Sequence, residues 1–379
     1  MADIHGTLDD RFAALATVFG EQLDSGEELG ASLAVIKDGE TVVDIWGGYA
    51  NPEQTKPWAQ NTITNAWSIT KTMTALSALL LVDRGDLDLY EKVSHYWPEF
   101  AVSGKADIAV RHLMSHTSGV SAWAQPVTID DLYDLEKSTA MLAAQEPWWE
   151  PGTASGYHLL NFGHLVGEVI RRITGQTLGE FFAAEIAKPM DADFHIGLDP
   201  SEFGRVSNVV PPPPLPFDLS KIDPQSVVVK SFSGPRIHSK ATWTDEWRSA
   251  EIGAANGHGN ARSTARAQAV VSHGGEFDGV RLLKPETIDL IFDQQSDGTD
   301  LVLLAPFRFG MGYALPQPAS VPVVKAGKRC FWGGYGGSMV INDLENHMTI
   351  AYVMNKMSGG LIGSARSDAY ITSIYGAVD

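Results

Sequence analysis

Ser68 and Lys71 stand three residues apart in Trp67-Ser68-Ile69-Thr70-Lys71-Thr72-Met73-Thr74-Ala75. They open a run whose Ile69, Met73, Leu76, Leu80 and Val82 mark a buried helical face, ended by Gly85. Side chains at i and i+3 are neighbours on a helix. A serine hydroxyl becomes a useful nucleophile once a base takes its proton, and a lysine amine can be that base when burial lowers its pKa. The helix N-terminus also favours negative charge developing near Ser68. An N-cap serine followed by a solvated lysine would give the same two letters, so the pair needs partners elsewhere in the chain.

Two later segments supply them. Pro151-Gly152-Thr153-Ala154-Ser155-Gly156-Tyr157-His158 is a turn that presents Tyr157 just before a helix carrying Leu160, Phe162, Leu165, Val166, Val169 and Ile170. Tyr157 is either a packing residue or, if its hydroxyl reaches Ser68 near Lys71, a proton relay as phenolate, its pKa lowered by the cation. His158 is the second candidate for the base. In Cys330-Phe331-Trp332-Gly333-Gly334-Tyr335-Gly336-Gly337-Ser338-Met339-Val340, four glycines crowd five positions of a strand-like run. Such crowding marks a kinked edge strand or a backbone that a ligand approaches. Acyl transfer needs two backbone N–H groups at the substrate carbonyl, and Ser68 and Tyr335 would provide them.

The elements that must hold these residues follow from periodicity. Phe12, Leu15, Val18, Phe19 and Leu23 predict an amphipathic helix over Asp9–Ser25, closed near Gly26. Ala31–Ile36 and Thr41–Trp46, joined through Asp38-Gly39, predict the first hairpin of an antiparallel sheet. Helix signals occupy Ser68–Asp83, Arg111–Ser115, Ile129–Ala144, Asn161–Thr174 and Leu178–Ala187. Asp199–Pro235, with prolines at Pro211 to Pro214, reads as an extended surface crossing, and long irregular loops often border active sites. Phe307–Ala314, Cys330–Asn342 and His347–Asn355 are strand-like, and a helix is expected over Ser364–Tyr375. Strands at both ends with helices between them predict an α/β (α+β) fold: one antiparallel sheet built from both chain ends and flanked by helices, with an inserted helical subdomain. The sheet-bearing part would span about 1–85 and 250–379, and the helical, loop-rich part about 86–249, in a single domain.

Composition narrows the partners. The 379 residues include 28 Lys and Arg against 46 Asp and Glu, a net charge of −18, which opposes phosphate backbones and anionic lipid. Neither nucleic acid nor a membrane is an expected partner. Cys330 is the only cysteine, so no intramolecular disulfide or cysteine-based zinc cluster can form. Met1–Gly20 has no basic region leading into a long apolar run, and a cytoplasmic location is expected.

Taken together, the S-x-x-K, Tyr157 and Gly-rich strand segments resemble, in this order, the motifs of the serine β-lactamase and penicillin-binding protein superfamily. The resemblance runs from about Leu29 to Asn355. Val110-Arg111-His112-Leu113-Met114-Ser115-His116-Thr117-Ser118-Gly119 is similar to another segment of that superfamily. Class C-like members, and among them family VIII carboxylesterases and related acyltransferases, are the nearest in pattern. The resemblance implies that Ser68 is the nucleophile, that Lys71 and Tyr157 share the base role, and that Trp332-Gly333-Gly334 stands where K-T-G stands in β-lactamases. Trp332 would then offer a substrate an apolar wall in place of a cation. Tyr157-His158-Leu159 also lacks the polar third residue of the class C Y-x-N element. Both departures favour neutral esters over β-lactams.

The expected activity is hydrolysis of a small-molecule carboxylic ester through an acyl-enzyme, with no cofactor and no metal. Acyl transfer to a small-molecule acceptor, and weak β-lactamase or amidase activity, would use the same residues. A non-catalytic binding or assembly protein is disfavoured because all three catalytic positions are filled. His112 and His116 have helical metal-pair spacing without a third ligand and read as structural, and His258 sits in a Gly-rich turn. Trp123, Trp148 and Trp149 are candidates for pocket walls or for core. No G-x-S-x-G nucleophile elbow is present. The oligomeric state is not legible in the sequence.

Overall fold

A computed structural model describes residues 3–214, 221–235 and 237–378. Its centre is a nine-stranded antiparallel sheet. The strands are β1 (Ile4–Leu8), β2 (Gly30–Lys37), β3 (Glu40–Gly48), β4 (Ser296–Thr299), β5 (Pro306–Phe309), β6 (Ala314–Leu315), β7 (Arg329–Gly333), β8 (Met339–Asp343) and β9 (Met348–Met354). Their order is β1-β3-β2-β9-β8-β7-β6-β5-β4. β9 pairs with β2 from Met348 opposite Lys37 to Met354 opposite Ala31, so the two ends of the chain share one sheet, as the strand pattern predicts.

Helices cover both faces. On one side α1 (Ala13–Ser25) packs against the C-terminal α5 (Ala365–Val378), with Tyr370 of α5 edge-on to Phe19 and to Tyr352 of β9. On the other, α4 (Ala261–Ser272) lies across β2, β8 and β9. Beyond α4 runs α2 (Thr70–Arg84), buried from Thr70 to Leu81 and also packed against α3 (Phe162–Thr174). Full burial of Leu76, Leu79 and Leu81 contributes about 1.5–3 kcal/mol each and fixes the helix in place. A buried polar chain ties it to the sheet. Gln268 Nε2 donates to the Thr72 carbonyl at 3.2 Å, Asn342 Nδ2 donates to Gln268 Oε1 at 3.1 Å, and Thr349 Oγ1 donates to Asn342 Oδ1 at 2.9 Å. Polar groups buried this deeply are kept only when paired, so the chain specifies how the layers stack.

Several elements differ in detail from the sequence pattern. Ile4–Leu8 adds an edge strand that the pattern does not flag; it lies mostly exposed and pairs with β3. Phe307–Ala314 is not one strand but the β5–β6 hairpin, whose turn is closed by the Gly310 amide on the Tyr313 carbonyl. Cys330–Asn342 likewise folds as the β7–β8 hairpin, because Gly336 (φ +95°) and Gly337 (φ +119°) turn the chain through a region that side chains avoid. The helix expected over Ile129–Ala144 breaks at Asp134, which caps the second half by accepting the Lys137 amide. Leu178–Ala187 is helical to Phe182 and then widens into a π turn. The Asp199–Pro235 crossing carries a 3-10 turn at Pro200–Arg205, a short strand at Val206–Ser207 and a helix at Val227–Phe232; residues 215–220 of it lie outside the described residues. No helix among the described residues is long and apolar enough to cross a membrane.

Candidate active site

Ser68 sits in a single 3-10 turn, Trp67–Ile69, that leads from a short strand (Ile63–Asn65) into α2. Trp67 has φ +51°, a conformation costing of order 1–3 kcal/mol for a non-glycine residue, and it persists because its surroundings over-determine it. The Thr70 hydroxyl donates to the Trp67 carbonyl at 2.6 Å and accepts the Gly257 amide at 2.8 Å, while the Ala66 amide donates to the Gly257 carbonyl at 2.8 Å. The Trp67 ring packs against Trp247 and edge-on against Tyr335. The strained turn lifts Ser68, partly exposed, out of a buried neighbourhood.

Lys71, one helical turn on, is 1% exposed. Its Nζ lies 3.2 Å from Ser68 Oγ and donates to the carbonyls of Leu159 at 2.8 Å and Ala254 at 2.9 Å. Burial holds its pKa well below the ordinary lysine value. A neutral amine has two N–H donors and one lone pair. In that form the two carbonyls can accept the N–H groups and the lone pair can meet the Ser68 hydroxyl.

Tyr157 is also buried, its ring between Trp332 and His116. Its amide donates to Asp300 Oδ1 at 3.1 Å, and its phenol oxygen accepts the Trp332 indole N–H at 3.0 Å. Burial pushes the phenol pKa above its ordinary value, outweighing the opposing pull of hydrogen bonds with Ser68 and Trp332. Burial thus opposes the phenolate expected for Tyr157, whose ring centre lies 4.6 Å from Lys71 Nζ. The alternative base, His158, has both ring nitrogens engaged, Nδ1 with the Gly156 carbonyl and Nε2 with Ser118 Oγ, each at 2.7 Å. Burial lowers its pKa to about 3. His158 thus anchors the Tyr157 loop.

The segment around His116 serves the same loop. The His116 carbonyl accepts the Gly156 amide at 2.9 Å, its Nδ1 accepts the His158 amide at 3.2 Å, and the Thr117 carbonyl accepts the Gly152 amide at 2.8 Å. His112 Nδ1 accepts the Ala109 amide at 3.1 Å, a local helix-start contact. His258 is buried beside the Ile63–Asn65 strand and does not line the cavity.

Ser68, Tyr157 and Tyr335 open onto a cavity of about 480 Å³. Its walls are Trp67, Ala122, Trp123, Leu159, Leu160, Val229, Phe232, Pro235, Ile237, Ala255 and Leu361, with Ser231, Ser233 and Gly234. No charged side chain lines it among the described residues. The irregular crossing thus borders the site through Val229–Pro235. Of the three tryptophans, Trp123 is a wall; Trp149 lies beneath Gly156 and donates to the Ala154 carbonyl at 2.9 Å, and Trp148 sits by Lys230.

On the glycine-rich strand the amides of Gly334, Gly336 and Gly337 donate to the carbonyls of Ser338, Gly360 and Gly334, and among the described residues the Tyr335 amide has no protein acceptor. Trp332, Gly333 and Gly334 do not form the expected substrate wall. All three are buried outside the cavity lining: Trp332 points under Tyr157, and a Cβ on Gly334 would lie 2.5 Å from the Ala66 carbonyl. These glycines let the β7 end approach the turn that carries Ser68. Asp300 and the Leu159 and Ala254 carbonyls were not legible in the sequence. Two are backbone atoms, and Asp300 lies in a loop with no periodic signal.

A strained turn presents Ser68 beside the buried Lys71 amine, and Tyr157 opens onto the same cavity, on a sheet built from both chain ends. Comparison with known proteins gives the family. Residues 15–370 match the family model described as Beta-lactamase. The chain is 32% identical over 373 residues to the esterase/β-lactamase LipL of Mycobacterium tuberculosis, covering 95% of this chain and 84% of that protein. Two solved structures are similar throughout. A family VIII carboxylesterase has a TM-score of 0.93 at 34% identity, and a penicillin-binding protein homologue from Caulobacter crescentus has 0.92 at 36%; each match covers 99% of this chain and 100% of the other. The chain belongs to the Beta-lactamase family and is an enzyme of the β-lactamase-related serine hydrolases.

Proposed function

We propose that the protein is a serine carboxylesterase that cleaves neutral, apolar esters through an acyl-enzyme on Ser68. One observation carries the reading: the buried Lys71 amine, its pKa lowered by burial, lies 3.2 Å from the Ser68 hydroxyl beside an apolar cavity. Lys71 takes the Ser68 proton as Oγ attacks the ester carbonyl carbon. The amides of Ser68 and Tyr335 hold the resulting oxyanion. As the C–O bond to the alcohol breaks, the Tyr157 hydroxyl gives its proton to the departing oxygen and is restored by the proton on Lys71. Water then attacks the acyl-enzyme with the proton steps reversed, and the carboxylic acid leaves.

The names of relatives support ester chemistry: LipL is called an esterase/β-lactamase, and one close structure is a family VIII carboxylesterase. The described lining of the cavity favours esters over β-lactams, whose carboxylate would find no cation among the described lining residues. This replaces the wall first assigned to Trp332 as the basis of selectivity. Intact-mass measurement after mixing with an activated butyrate ester tests the proposal. A single butyryl adduct is expected on the native chain, none on Ser68→Ala, and strongly slowed formation on Lys71→Ala. An adduct that persists in Ser68→Ala would remove Ser68 from the mechanism.

A further inference from the structure

An indole N–H can only donate, whereas a phenol has one O–H to give and two lone pairs that accept. In the Trp332–Tyr157 pair, at 3.0 Å, the indole is therefore the donor and the phenol proton must point elsewhere. The Ser68 hydroxyl is a neighbour of that oxygen, and both residues line the same cavity. Trp332 cannot readily turn away: it is 2% exposed, fixed on β7 opposite Val340, and enclosed by Phe307, Phe309, Phe331 and His116. A lysine at this position would also donate, but it would bring a positive charge and favour phenolate, an acceptor with no proton to give. The indole keeps the donor and omits the charge.

We propose that Trp332 is a positioning residue that aims the Tyr157 O–H at the Ser68 side of the cavity, making the enzyme competent on esters whose alcohol leaves only with a proton. The inference rests on the esterase mechanism above, in which Tyr157 protonates the leaving oxygen. It adds a substrate class: alkyl esters, and not only activated aryl esters. A nitrophenolate departs without a proton, whereas an alkoxide does not, and general acid assistance is worth about 10²–10⁴ in rate.

The test compares kcat/KM for p-nitrophenyl butyrate and ethyl butyrate, which form the same acyl-enzyme, so that a difference between them arises in acylation. Trp332→Phe removes the N–H and keeps an aromatic ring; Trp332→His keeps a ring N–H. In Trp332→Phe the loss on the ethyl ester is expected to exceed the loss on the nitrophenyl ester by at least about tenfold, and in Trp332→His that gap should close. Equal losses on both esters in Trp332→Phe would make Trp332 a packing residue and overturn the proposal. So would a gap that persists in Trp332→His. If Trp332→Phe does not fold, the His variant decides, since a preserved ester ratio supports the proposal and a ratio lost at the ethyl ester overturns it. Failure of the esterase reading looks different, because the native chain would then form no butyryl adduct on Ser68.

Discussion

The carboxylate of Asp300 accepts the backbone amide of Tyr157 at 3.1 Å across 143 residues of chain. The same oxygen, Oδ1, accepts the amides of Val302 and Leu303 at 2.8 Å each. Asp300 is fully buried, so its hold on the tyrosine loop is not diluted by water.

Removing that acceptor should cost both stability and rate. Asp300→Ala leaves three donors without this acceptor, two of them buried, and a loss of about 1–3 kcal/mol in unfolding free energy is expected from denaturant titration. With Tyr157 no longer held, kcat should fall by more than KM rises. Asp300→Asn keeps an oxygen at the same place and should recover part of both; indistinguishable Ala and Asn variants would show that the amides do not depend on it.

Gly334 sets the distance between the β7 end and the Ser68 turn. A Cβ there would lie 2.2 Å from Ser338 Oγ and 2.5 Å from the Ala66 carbonyl oxygen, which is backbone. Gly334→Ala should destabilise by about 1–3 kcal/mol and displace the Tyr335 amide. Loss of one oxyanion donor costs about 10²–10³ in kcat, so a large kcat effect with little change in KM is expected. A variant with native kinetics would exclude the Tyr335 amide from the mechanism.

The cavity, apolar and without charge among its described lining residues, predicts how rate depends on the acyl chain. Each methylene removed from water contributes about 0.8 kcal/mol, or roughly fourfold in kcat/KM. Across p-nitrophenyl esters from acetate upward, kcat/KM should climb at about that step until the cavity is filled. A terminal carboxylate on the same chain should cancel the gain. A flat series would place the acyl chain outside the cavity.

Acid should destabilise the protein through its buried histidines. Burial lowers the pKa of His112 to about 4 and of His158 and His258 to about 3, against an ordinary 6.5. Between about pH 4 and 6.5 the unfolded chain binds these three protons and the folded chain does not, so stability rises with pH in that window and is fully present above it. Each histidine contributes a slope of about 1.4 kcal/mol per pH unit. Urea midpoints measured from pH 4.5 to 7.5 should climb and then level near 6.5, and His158→Gln should flatten the climb by about one histidine's share. A midpoint independent of pH below 6.5 would mean that these rings are not buried neutral.

Most of the strands and helices were legible because each buries one face, and burial writes a period of two or of 3.6 into the residues; the exposed edge strands Ile4–Leu8 and Ser296–Thr299 carry no such signal. The sheet joining both chain ends, α1 closed by Gly26 and α2 closed by Gly85 all follow from such local patterns. The hairpins at Gly310–Tyr313 and Gly334–Ser338 were not legible, because strand-like residues run on both sides of each and no Asn-Gly or Asp-Gly pair marks the turn.

The sequence by itself determined which groups could react: Ser68 and Lys71 one helical turn apart, Tyr157 behind a turn, and a glycine-rich strand. Their spacing is local and their chemistry is carried by side-chain type. Only the tertiary structure decided their burial and partners. Burial among carbonyls from residues 159 and 254 lowers the Lys71 pKa, and burial raises that of Tyr157 against the pull of the Trp332 donor. Burial and long-range hydrogen bonds depend on segments far apart in the chain. No local pattern can encode them, and a tryptophan that reads as a substrate wall is, once folded, a buried donor to the Tyr157 oxygen.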